Sequence, residues 1–155
     1  MSRMRIIEMT EKEVPKVAAI EAEVFSCPWS EKSFFDTLRM DNVRFFLAVE
    51  DDEVLGYCGM YMAADEGEIT NVAVKPEYRR RHIAGAILRA MLLFGENSGI
   101  SRFYLEVRVS NYAAIHLYEK FGFFCQGIRK GFYSEPREDA YVMCRFLSDG
   151  FEKIT

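Results

Sequence analysis

Two stretches of the sequence hold residues able to do chemistry. In the first, Val72-Ala73-Val74 reads as the end of a strand and is followed by a basic turn with arginines at 79, 80 and 81. A helix then opens at Ile83 with small residues at Ala84, Gly85 and Ala86. A helix N-terminus presents unpaired N–H groups and partial positive charge, small residues let a ligand approach the backbone, and guanidinium groups add bidentate donors. Together these features describe a pyrophosphate site. The alternative is a solvated basic turn whose small residues serve only helix packing. His82, in the middle of this turn, has no obvious partner in the sequence for a role as base or ligand.

The second stretch runs from Leu105-Glu106-Val107-Arg108 through Ser110 and Asn111 to Tyr118 and Gly122. A glutamate inside an apolar strand is unusual, because a buried carboxylate must be paired or neutralised. Arg108 lies on the same strand face and is one candidate partner, since residues two apart share a face. Tyr118 falls on a helical stripe with Ala114, Ile115 and Phe121, and on spacing alone it reads as a core tyrosine.

Positioning these groups requires a folded domain, and the composition supplies one. Of 155 residues, 50% are hydrophobic and 14% aromatic, which is ample for a core and excludes intrinsic disorder. No apolar run reaches the 18 or so residues of a membrane helix, and no signal-peptide pattern opens the chain, so a cytoplasmic protein without a membrane partner is expected. Four cysteines at 27, 58, 125 and 144 form no CxxC pair and read as reduced thiols in or near the core. The net charge of −4 argues against a general nucleic-acid binder. The charge is divided: residues 1–70 carry 7 basic and 15 acidic side chains, residues 71–155 carry 13 and 9. Such a division would suit two unlike partners.

The elements follow from period and punctuation. Arg5–Met9 reads as a strand. Thr10 and Glu13 have capping-box spacing before a helix with Val14, Val17, Ala18, Ile20 and Val24 inward. Cys27-Pro28-Trp29 breaks it, and Ser30 caps a second helix to about Arg39. Val43–Glu50, Glu53–Met62 and Glu68–Val74 read as strands, joined by a turn at Asp51-Asp52 and a loop over Ala63–Gly67. Ile83–Asn97 is a strongly periodic helix stopped by Gly99. Phe103–Val107 is a strand, Ser110 or Asn111 caps a helix over Tyr112–Phe121, and Phe123–Ile128 and Ala140–Leu147 form a last pair of strands around a polar loop, Arg129–Asp139. The strand–helix–strand steps after residue 68 predict parallel neighbours. There is no repeat and no linker, so residues 1–147 are expected to form one α/β (α+β) domain, with 148–155 as a short tail.

Arg79-x-x-His82-x-Ala84 after the Val-Ala-Val strand resembles the acetyl-CoA loop of the GNAT family of N-acetyltransferases, whose pattern is Q/R-x-x-G-x-G/A. His82 stands where that pattern has glycine, and in a left-handed conformation it would carry strain. The run LEVRxSNxxAIxLYExxGF, together with Pro28–Phe34 and Arg137–Ala140, is similar to a branch of the family that acetylates the N-terminal alanine of a small-subunit ribosomal protein. These motifs span residues 28–140. The resemblance implies a mixed, mostly antiparallel sheet of about seven strands flanked by about four helices. It also implies acetyl-CoA as co-substrate and no metal. Val72, Ala73, Val74, Arg79, Arg80, Arg81, His82, Ile83, Ala84, Gly85 and Asn111 would hold the cofactor, with Glu106 as general base and Tyr118 as general acid. Trp29 and Tyr133 would frame the acceptor, the ribosomal N-terminus, and the enzyme would be a monomer making no direct contact with nucleic acid. No cysteine adjoins these motifs, which favours direct transfer. A GNAT enzyme acting on another protein N-terminus or on a small amine, and a non-catalytic acyl-CoA-binding module, are the competing readings.

Overall fold

A computed structural model describes residues 3–147. Its elements are β1 (Arg5–Glu8), α1 (Val14–Val24), α2 (Glu31–Leu38), β2 (Val43–Glu50), β3 (Glu53–Ala63), β4 (Glu66–Val74), α3 (Ile83–Asn97), β5 (Arg102–Arg108), α4 (Tyr112–Lys120), β6 (Phe124–Ser134) and β7 (Arg137–Phe146). The strands form one sheet in the order β1-β2-β3-β4-β5-β7-β6. Every neighbouring pair is antiparallel except β4 and β5. This is the mixed α/β architecture expected from the sequence. The tail expected at 148–155 lies outside the described residues.

Helices cover both faces of the sheet. α3 and α4 pack on one face, where Ile83, Ile87, Leu88, Met91 and Leu92 meet Ile69, Phe103, Leu105 and Met143. α1 and α2 cover the other, where Val14, Val17, Ile20 and Phe34 meet Phe45, Leu47 and Tyr57. α3 starts and stops where its 3.6-residue period does. At Gly95 a Cβ would lie 2.6 Å from the Phe103 ring, so glycine is what lets the helix sit this close to β5. Upstream, the Thr10 backbone N–H and hydroxyl both donate to the Glu13 carboxylate, and the Ser30 hydroxyl accepts from Ser33 N–H to start α2.

Three expectations are corrected. The loop placed at Arg129–Asp139 is strand on both sides, and only Glu135-Pro136, joined by a cis peptide bond, separates β6 from β7. β6 is an edge strand whose residues are mostly exposed, so its polar positions look like loop. A register shift between Arg129 and Tyr133 also breaks the two-residue alternation. The loop at Ala63–Gly67 shrinks to a turn, because β4 already begins at Glu66. Only the step from β4 through α3 to β5 makes parallel neighbours; β7 inserts between β5 and β6. All four cysteines are free thiols, with Cys58 and Cys144 buried but Cys27 and Cys125 exposed. Among the described residues, no helix is long and apolar enough to cross a membrane.

One ion pair lies deep beneath α3. Arg145 on β7 approaches Glu96 to 3.7 Å, with side chains 5% and 3% exposed. Both Glu96 carboxylate oxygens and Arg145 Nη1 are without hydrogen-bond partners among the described residues. The pair therefore repays little of its desolvation, while removal of one partner strands a buried charge. Arg145→Met is expected to lower unfolding free energy by about 3 kcal/mol, and adding Glu96→Leu to restore most of that loss. Urea midpoints of the two variants and the parent chain check this.

Candidate active site

β4 and β5 run parallel and pair from Glu66↔Arg102 to Glu68↔Tyr104, and their ladder ends there. β4 continues to Val74 against Gly56 of β3, and β5 continues to Arg108 against Ala140 of β7. The strands therefore separate, and a wedge opens between them. On the β4 side, one extra residue is accommodated between Ile69 and Val72 opposite Cys58–Met60. Past this bulge Val72 and Val74 pack toward α3 and Ala73 toward α1. The backbone of Val72–Val74 thus lines one wall of the wedge without a ladder to β5.

The basic turn sits at the end of that wall. Arg79, Arg80, Arg81 and His82 are all exposed. His82 is the N-cap of α3 with φ 59° and ψ 23°, and Arg80 has φ 68°. The left-handed conformation suspected at His82 is present, and Arg80 shares it. Such residues cost free energy and persist where the surroundings fix them. The turn lays the first amides of α3, at Ile83, Ala84 and Gly85, open at the helix start; the first intrahelical bond runs from Ala86 N–H to the His82 carbonyl. A Cβ at Gly85 would meet its nearest side chain, Leu117, at an ordinary 3.6 Å. Helix packing therefore does not demand glycine there, which removes the bland explanation for one of the small residues. Arg81 is partly engaged, pairing with Glu50 at 3.2 Å and lying over the Tyr78 ring. These groups fit a pyrophosphate-bearing co-substrate.

Glu106 lies on the other wall, on β5 opposite Val142 of β7. Its neighbours Leu105 and Val107 face the α3 core, so alternation turns its carboxylate to the opposite side. The side chain is 11% exposed, and its nearest cation is Arg129 of β6, at 3.7 Å. Arg108, the partner suggested by sequence, instead pairs with Glu138 at 3.1 Å. Burial, with a smaller contribution from the Glu68 carboxylate, pushes the pKa of Glu106 above the usual carboxylate range; Arg129 opposes the shift.

Tyr118 on α4 is buried beside the Phe123 ring and close to Cys58 and Tyr133. Burial is the main reason its hydroxyl is held well above the ordinary phenol range, so it stays protonated. Burial likewise pushes the adjacent Cys58 thiol up to about 12, which favours the neutral thiol there. Tyr133 is half-buried and electrostatically coupled to both Tyr118 and Glu106. Tyr133 therefore lies within electrostatic reach of both Glu106 and Tyr118, which belong to opposite faces of the sheet. Asn111 caps α4, its side-chain oxygen accepting from Ala114 N–H at 3.2 Å; its amide hydrogens are the donors left to it. Trp29 is held in the α1–α2 turn, its ring against Phe34 and Phe45.

Sequence reasoning missed Glu21. This buried α1 carboxylate accepts from Trp29 N–H at 3.0 Å and from the Tyr57 hydroxyl. An acidic residue on the inward stripe after Val17 and Ile20 was the available signal.

A family model described as the acetyltransferase (GNAT) family matches residues 14–123. The chain belongs to the GNAT acetyltransferase family. Its reaction class is therefore acetyl-CoA-dependent N-acetylation. A Bacillus subtilis relative is 36% identical over 143 residues, covering 92% of this chain and 95% of that one. The Escherichia coli K12 protein named [ribosomal protein bS18]-alanine N-acetyltransferase is 33% identical over 150 residues, covering 96% and 99%. The crystal structure of the ribosomal-protein-S18-alanine N-acetyltransferase from Escherichia coli superposes with a TM-score of 0.87 at 30% identity, over 99% of each chain. This chain has the GNAT sheet, with a wedge between β4 and β5 and a basic turn before α3.

The environment of Glu106 sets the sign of a pH test. Its raised pKa means that the carboxylate protonates at a higher pH than an ordinary glutamate, so a reaction that uses it as base would lose activity at that higher pH. Glu68→Gln removes an anion and is expected to move the acidic limb of kcat to lower pH. Arg129→Gln removes a cation and is expected to move it to higher pH. Profiles measured with one acceptor at saturating acetyl-CoA separate these shifts from titration of the acceptor amine.

Proposed function

We propose that this chain transfers acetyl from acetyl-CoA to the N-terminal alanine of a small-subunit ribosomal protein, directly and without an acyl-enzyme. The observation that carries the reading is the wedge left where the β4–β5 ladder stops at Glu68↔Tyr104, with Glu106 on one wall and the Val72–Val74 backbone on the other. The choice of acceptor is supported by the names of relatives that match nearly the whole chain. The acidic first half, which contributes Glu68 where the ladder ends, suits a cationic amino terminus.

In this reading Arg79, Arg80 and the amides of Ile83, Ala84 and Gly85 hold the cofactor phosphates, and the backbone of Val72–Val74 orients the acyl end. Acetyl-CoA supplies an activated carbonyl carbon and a thiolate leaving group. Glu106 takes a proton from the acceptor ammonium, directly or through water, so that a neutral amine attacks. At pH 7 a neutral α-amine costs about 1.4 kcal/mol and a neutral lysine about 4.6 kcal/mol, so a single carboxylate of raised pKa suits the α-amine better. Backbone N–H groups at the wedge steady the negative charge developing on the carbonyl oxygen. The Tyr118 hydroxyl, kept protonated by burial, donates a hydrogen bond to the departing sulfur. Trp29 and Tyr133 border the acceptor.

Incubation with acetyl-CoA and a peptide bearing the ribosomal N-terminus is expected to release CoA and acetylate the α-amine, with Glu106→Gln lowering kcat about 10²–10⁴-fold. No release above the Glu106→Gln control, under conditions where acetyl-CoA binds, overturns the reading. Tyr118→Phe is expected to lower kcat at least tenfold with a smaller change in acetyl-CoA affinity. Parallel losses would mark Tyr118 as a packing residue.

A further inference from the structure

The α1–α2 turn, the end of β5 and the β6–β7 hairpin meet at one backbone oxygen. The Glu135 carbonyl, at the tip of the β6–β7 hairpin, accepts from the Ser26 hydroxyl in the α1–α2 turn and from Arg108 Nη2 at 3.2 Å, at the end of β5. Arg108 Nη1 also donates to the Pro136 carbonyl at 2.9 Å and to the Glu138 carboxylate at 3.1 Å. Its guanidinium carbon stands 4.2 Å from the centre of the Tyr133 ring. The second Glu138 oxygen accepts from Ser110 N–H at 2.9 Å, which ties β7 to the start of α4. The α1–α2 turn is held at its far end by Glu21 through Trp29 N–H and the Tyr57 hydroxyl.

We propose that Arg108 is a positioning residue for the acceptor. It fastens the β6–β7 hairpin and the α1–α2 turn into one rim beside Glu106, and this rim holds the main chain of an extended peptide. The inference rests on the peptide-acceptor reading above. Arg108 is suited to this by chemistry: a planar fork can serve two carbonyls, a carboxylate and an aromatic face at once, whereas lysine offers a point charge. Its place in the sequence suits it too. It lies two residues beyond Glu106 on the same strand face, so whatever it fixes is registered to the base. The phosphate turn makes none of these contacts, and the network nears the cofactor residues only at Ser110, beside Asn111, so the larger effect should fall on the acceptor.

The test compares Arg108→Gln, Arg108→Lys and Ser26→Ala with the parent chain, measuring KM for an N-terminal alanine hexapeptide, KM for acetyl-CoA, and kcat. Arg108→Gln is expected to raise peptide KM about tenfold or more while acetyl-CoA KM stays within about twofold. Arg108→Lys should fall between it and the parent, and Ser26→Ala should raise peptide KM about two- to fivefold. An unchanged peptide KM in folded Arg108→Gln, or equal rises in both KM values, overturns the proposal. Should Arg108→Gln not fold, Ser26→Ala decides, because it removes one exposed hydroxyl; an unchanged peptide KM there overturns the proposal equally. A parent chain inactive on every N-terminal peptide overturns the acceptor reading and the rim with it. An active parent with insensitive variants overturns the rim alone.

Discussion

The rest of the structure depends on where two parallel strands stop pairing. A parallel ladder continues only while both strands keep a common direction. Here β4 stays with β3 to Val74 and β5 stays with β7 to Arg108, so the two are pulled apart after Glu68↔Tyr104. Backbone polar groups without a ladder partner must find another partner or water. A wedge lined by such groups, between two buried cores, is a place where an extended thioester can complete the missing hydrogen bonds. The bulge in β4 turns Val72 and Val74 toward α3 just where this happens. The basic turn then delivers the chain to the start of α3 at Ile83.

Electrostatics in the wedge follow from the same separation. If β5 paired fully with β4, Glu106 would sit in the middle of a covered sheet and would need a close partner. At the open edge it is largely buried, faces Arg129 at 3.7 Å and feels Glu68 across the gap. The result is a carboxylate that is easier to protonate than usual, which suits a base that accepts a proton and then releases it. Burial acts on Tyr118 in the same direction: its hydroxyl lies in the α3–α4 core and is held in the protonated form.

Particular residues show how much was legible in the sequence. The helix Ile83–Asn97 was placed to the residue, because a 3.6-residue period and its stop at Gly99 are local signals. The basic turn and the anomalous Glu106 were legible for the same reason: each contrasts with its immediate neighbours. The β6–β7 hairpin was not. An exposed edge strand with a register shift at Arg129–Tyr133 has neither the apolar alternation nor the even spacing that marks a strand. Glu21 was passed over because one acidic residue on an apolar stripe is common, and only its contacts with Tyr57 and Trp29 distinguish it.

The sequence by itself determined most of the elements and their order, the basic turn before α3 and the residue types available for acid–base chemistry. These depend on patterns within about fifteen residues, where local backbone preference and burial period are strong. Tertiary structure alone decided that β4 and β5 part after Glu68, that β7 lies between β5 and β6, and that Arg129 rather than Arg108 faces Glu106. It also decided that Ser26 and Arg108 share the Glu135 carbonyl, although they lie 109 and 27 residues from it. Contacts over such separations are fixed by which strand wins each edge of the sheet, and no local stretch of sequence records that outcome.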